Sequence, residues 1–134
     1  MADPLHVEVV SATRVVWSGE ATNIIAKTTD GDMGILPGHE PVLAILVAGA
    51  IQVYCPDATR EIFAVDGGFI SVAHGRVSIL SEYAATATEV SVREGEKEVA
   101  EARARLDAGE DDEDTRQHFA WASAQIRAAE KLRL

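Results

Sequence analysis

The composition of this chain changes near Thr88, and that break constrains its fold more than any other feature. Before it, short apolar segments rich in β-branched residues are cut by glycine or proline at most joints; after it, β-branched residues nearly vanish and charged residues recur at helical spacing. Four of the twelve Lys and Arg residues precede the break and eight follow it. Alternating short segments with turn residues between them predict strands, and a 3.6-residue period predicts helices. At 134 residues the chain holds one core and an appendage. The expected fold is an N-terminal β-sandwich of about ten short strands over residues 1–88, followed by a C-terminal antiparallel two-helix hairpin over residues 89–134.

Within the first part, Leu5, Val7 and Val9 alternate with His6 and Glu8, and Val15 and Trp17 repeat the pattern, as half-buried strands do. Ala21 to Thr29 reads as a third strand ending at Asp30-Gly31. The next stretch, Gly31 to Pro41, holds three glycines and two prolines and predicts a tightly turning loop. A charge-free run from Pro41 to Pro56 follows; broken by Gly49 and carrying Gln52, it falls short of the roughly 20 apolar residues of a membrane span. Leu43 to Ile51 is therefore expected to be buried core. Ile51-Val53-Tyr54 and Glu61 to Val65 outline a hairpin, and Phe69 to Ala73 and Val77 to Leu80 another.

In the second part, Ser91 and Glu94 fit a capping box, and Val92, Val99 and Leu106 recur every seven residues with Gly95 and Ala102 between them. Gly109 ends that helix. The acidic run Glu110 to Asp114 reads as a solvated loop feeding a helix N-terminus, where negative charge is favoured; it lacks the glycine and distal glutamate of an EF-hand. From Thr115 a second helix aligns Phe119, Ala122, Ile126 and Ala129, with Trp121, Ala128 and Leu132 beside them. Its alanines allow close approach to the first helix.

A net charge of -10, with 22 acidic against 12 basic residues, disfavours nucleic acid as a partner. Cys55 is alone, so neither a disulfide framework nor a cysteine metal cluster is expected. The histidines His6, His39, His74 and His118 lie in separate segments without metal-ligand spacing, and no phosphate-cradling glycine motif or partnered nucleophile occurs. No catalytic residue and no metal ligand is assigned.

The order and spacing of Gly31-Asp32-Met33-Gly34-Ile35-Leu36-Pro37-Gly38-His39-Glu40-Pro41, the apolar run into Gly49-Ala50-Ile51, then Asp66-Gly67-Gly68-Phe69 and Val77 to Glu82 resemble the epsilon subunit of F-type ATP synthase. Leu5 to Ser11 resembles that family's first strand and Ala122 to Ile126 its last helix. The resemblance implies a non-catalytic rotor subunit of the central stalk, whose sandwich binds the gamma subunit and rests on the c-ring. It implies a c-ring contact at Asp30, Gly31 and Asp32 and a gamma contact at His39. Its mobile helices would brake ATP hydrolysis by reaching the alpha and beta subunits, with Arg116, Arg127, Lys131 and Arg133 as the available cations.

Some relatives bind ATP through Ile/Leu-Asp-x-x-Arg-Ala at the start of the first helix. Here Ser91 replaces the aspartate and Glu94 the arginine, so no ATP site and no other cofactor is expected. With no secretion signal at its start, the chain is expected at the cytoplasmic face of the bacterial plasma membrane, peripheral to it. The alternative is a stand-alone β-sandwich that binds a small ligand or metal, with a helical dimerisation tail.

Overall fold

The computed structural model describes residues 3–132. Ten strands precede two helices: β1 Leu5–Val10, β2 Val15–Ala21, β3 Asn23–Thr28, β4 Gly31–Ile35, β5 Val42–Ile45, β6 Gly49–Tyr54, β7 Arg60–Val65, β8 Phe69–Ala73, β9 Arg76–Leu80, β10 Ala84–Thr86, a short 3-10 turn Ala87–Glu89, then α1 Val92–Asp107 and α2 Glu113–Leu132. The strands form two five-stranded sheets in the orders β2-β1-β9-β8-β5 and β10-β7-β6-β3-β4. The predicted sandwich followed by a helical hairpin is the observed architecture.

Alternation places the core between the sheets. Leu5, Val7 and Val9 of β1 and Ile70, Val72, Val77 and Ile79 of β8 and β9 point inward from the first sheet. Ile24, Ile35, Ile51, Val53, Phe63 and Val65 meet them from the second. In β7, Ile62 and Ala64 are buried as fully as Phe63 and Val65, because α2 covers the outer face of that sheet. Among the described residues, nothing covers the outer face of the first sheet in the same way. Gly68, at φ +95°, allows a close approach of strands: a Cβ there would lie 1.9 Å from the Leu80 carbonyl oxygen.

Two expectations are corrected. Gly31 to Ile35 is not a loop but the edge strand β4, pairing with β3 from Thr28↔Gly31 to Ile24↔Ile35; Gly34 keeps an ordinary strand conformation there. Leu43 to Ile51 is not uniformly core either. β5 is an edge strand of the first sheet, and its outward side chains lie on the face that the helices leave uncovered: Leu43 is 69% and Ile45 63% exposed, whereas Leu46 and Ile51 are buried.

The hairpin follows its sequence signals. The Ser91 side chain accepts from the Glu94 backbone N–H at 3.3 Å and caps α1, and Gly109 leaves the helix at φ +91°. Gly95 and Ala102 are buried against α2, with Ile126 close over Gly95 and the Arg103 guanidinium 5.4 Å from the centre of the Phe119 ring. The other face of α2 places Ala128 and Trp121 on Ile62, Ala64 and Ala87, so α2 lies between α1 and the sandwich.

Candidate interaction surfaces

The strand registers divide the sandwich into two ends. Thr28 pairs with Gly31 and bridges to Leu46, and the Leu46 N–H donates to the Gly68 carbonyl at 2.8 Å. The β3–β4 turn, the loop after β5 and the loop after β7 therefore share one end. Asn23 pairs with Tyr54 and Ile24 with Ile35, which puts residues 36–41 at the other.

Asp30, Gly31 and Asp32 are all exposed at the first end. Their turn is held by Thr28, whose hydroxyl donates to the Gly31 carbonyl at 2.8 Å and accepts from the Asp30 N–H at 3.1 Å. Gly31 takes φ +111°, a conformation that side chains resist. The result is a fixed turn presenting two carboxylates to solvent.

His39 sits at the opposite end. Its N–H donates to the Leu36 carbonyl at 3.1 Å, and its Nδ1 donates to the Glu40 carbonyl at 2.7 Å, which fixes the ring and leaves Nε2 for another partner. The structure thus separates Asp30–Asp32 from His39 rather than gathering them.

Between these ends, Leu43 and Ile45 project from the same face of β5, and Ile45 stands opposite Phe69, itself 44% exposed. Leu36 and Val47, before and after β5 in the chain, are exposed as well. Further across the sheet the same face turns polar, with His6 in register with both Glu20 and Arg76, and Glu8 with Ser18 and Ser78. A concavity of about 400 Å³ lies over that polar half. An uncovered apolar strip with a polar rim is the anatomy of a protein-binding surface. Sequence reasoning missed it because an unbroken apolar run reads as buried whichever face each residue takes; the signal was Pro41 at its start, a residue that suits edge strands.

The cations of the hairpin do not converge. Arg116 and Arg127 stand about three turns apart on the solvent side of α2. Arg116 pairs with Asp111 at 3.3 Å in an exposed contact, the half-buried Lys131 follows one turn after Arg127, and Arg133 lies outside the described residues. Asp112 caps α2 by accepting the Thr115 N–H at 2.7 Å; the Thr115 hydroxyl and that N–H hold its carboxyl below the ordinary aspartate value. At the start of α1, Ser91 and Glu94 are engaged in or beside the helix cap. Among the described residues no three His, Cys, Asp or Glu side chains gather as metal ligands, and no helix is long and apolar enough to cross a membrane.

Comparison with known proteins gives a consistent answer. The family profile "ATP synthase, Delta/Epsilon chain, beta-sandwich domain" matches residues 4–87. An ATP synthase epsilon chain of Streptomyces avermitilis is 46% identical over 108 residues, covering 81% of this chain and 87% of the relative. One from Cutibacterium acnes is 43% identical over 134 aligned positions, covering 94% and 92%. In fold, the chain superposes on a chain of the Euglena gracilis mitochondrial ATP synthase OSCP/F1/c-ring assembly with TM-score 0.76 at 23% identity, covering 98% of this chain and 82% of that one. The alternative of a stand-alone ligand-binding sandwich finds no support among these matches.

Proposed function

This chain belongs to the ATP synthase epsilon-chain family, as a non-catalytic, peripheral subunit of the central stalk, and from that premise we propose how its surfaces are used. The open face of the first sheet, along its β5–β8 side where Leu43, Ile45 and Phe69 are exposed and with His39 at its margin, binds the gamma subunit. The turn carrying Asp30, Gly31 and Asp32 rests on the c-ring at the cytoplasmic face of the bacterial plasma membrane. The sandwich then acts as a clamp that passes torque between the c-ring and gamma during proton-driven ATP synthesis. The helices restrain ATP hydrolysis when they leave the sandwich and lay Arg116, Arg127, Lys131 and Arg133 against alpha and beta.

The observation that carries the gamma assignment is the uncovered apolar strip on an edge strand of a chain whose family works in a multisubunit complex. Mixing the chain with the gamma subunit of the same enzyme is expected to give a stable co-eluting pair. Leu43→Glu places a carboxylate in that contact and should weaken it at least tenfold, about 1.4 kcal/mol, without unfolding a chain in which Leu43 is already exposed. Undiminished co-elution of the variant would move the gamma contact off this face.

The start of α1 is proposed not to bind ATP. Glu94 stands in its first turn where the ATP-binding pattern requires an arginine, and an anion there opposes phosphate. Calorimetric titration of the isolated chain with ATP to about 1 mM should give no saturation; a saturable isotherm below that concentration would refute this part.

A further inference from the structure

α2 docks on the sandwich through small side chains. Ala128 meets Ile62, Ala64 and Ala87, with Ala50 alongside, and the large residue on this face of the helix is Trp121. Trp121 lies toward the N-terminal half of α2, where its ring is 5.9 Å from that of Tyr83. Alanine removes little apolar area from water, so the C-terminal half of α2 is held by a weak apolar contact.

At that end the structure adds a polar one. Arg60, the first residue of β7, donates from Nη2 to the Lys131 carbonyl at 2.8 Å, across 71 residues of sequence. Lys131 stands in the last turn of α2, where carbonyls have no partner within the helix and carry the negative end of its dipole. The contact is partly buried, which spares it some of the screening that weakens surface pairs. Among the described residues Arg60 forms no ion pair with a carboxylate.

We infer that Arg60 is a positioning residue of the docked hairpin: its guanidinium clamps the C-terminal end of α2 to the sandwich and sets how often the hairpin departs. The clamp is a property of this chain alone; its consequence for hydrolysis rests on the regulatory role proposed above.

Hydrogen exchange on the full chain tests the clamp. Arg60→Gln removes the cation, and exchange in the last turns of α2 should quicken by roughly ten- to 150-fold, the range expected for one lost charge-assisted hydrogen bond. The β6 and β7 amides should keep their protection. Arg60→Lys, which returns a positive charge to the helix end, should recover most of the effect. Unchanged α2 exchange in Arg60→Gln overturns the clamp. So does an equal rise in β6 and β7, which would mean a loosened sheet, and so does failure of Arg60→Lys to rescue. In the assembled enzyme Arg60→Gln should change the inhibition of ATP hydrolysis. If exchange responds as expected and hydrolysis does not, the regulatory role falls and the clamp stands.

Discussion

Asp112 shows how one side chain ties charge to local structure. It caps α2 within the densest acidic run of the chain, and hydrogen bonds from the Thr115 hydroxyl and N–H keep it ionised. Because its folded-state value is depressed, its stabilisation is complete above the ordinary aspartate value, about 3.9, and is lost as pH falls through the lowered one. Acid titration followed by NMR should therefore show the Thr115 amide shifting only below about pH 4. Asp112→Asn keeps a capping acceptor but cannot titrate, so its Thr115 amide should lose that response. An identical acid response in both proteins would place the titrating group elsewhere. The sequence marked this run as a helix entrance; which of its five acids did the capping waited on the geometry, since any of them could reach a backbone N–H three residues on.

At the scale of elements, the helices were the more legible part. Ser91, Gly95, Ala102 and Gly109 gave the cap, the seam and the end of α1, all local signals that the structure realises in place. The seam makes a sharp prediction. A Cβ on Gly95 would stand 3.1 Å from Ile126 Cγ1, so an alanine asks Ile126 to give a few tenths of an ångström while the helix gains propensity, and the two effects oppose. Leucine has no such balance. Gly95→Leu should cost about 1–3 kcal/mol of hairpin packing, read as early loss of helical circular dichroism in urea while the sandwich unfolds at its usual midpoint. A single wild-type-like transition would show that the seam tolerates bulk. The strands β4 and β5 were less legible, for a physical reason. Gly31 and Gly34 signal a turn locally, but pairing with β3 extends the chain there; Leu43 and Ile45 look like core, but they point to the face of the first sheet that the helices do not cover. Whether a glycine pair ends a strand or continues it across a two-residue turn, and which face of a strand is left without a covering layer, depend on pairing and packing that composition does not carry.

Across the whole molecule, the strand registers hold the proposed c-ring and gamma contacts apart. Asp30 to Asp32 and His39 are neighbours in sequence, yet β4 sets them at opposite ends, five residues and about 17 Å of extended chain apart. The hairpin adds to the asymmetry: the entrance to α2 lies beside Asp66, at the Asp30 end, and its exit beside Arg60 at the other. The acidic connector Glu110 to Asp114 therefore adds to the negative charge already at the Asp30 end when the hairpin is docked. Two sets of substitutions should consequently separate. Asp30→Asn with Asp32→Asn removes two exposed carboxylates from a turn held by Thr28, so the fold and the gamma complex should survive. Attachment to the c-ring should weaken, and more so at low ionic strength, where exposed charges act over a longer range. His39→Ala with Leu43→Glu should do the reverse, weakening the gamma complex with little dependence on salt from the apolar strip. Co-purification of each double variant with gamma and with gamma plus c-ring, at two salt concentrations, reads both. If both variants lose the same partner with the same salt dependence, the sandwich does not bridge two partners through its two ends, and its role in passing torque must rest on another surface.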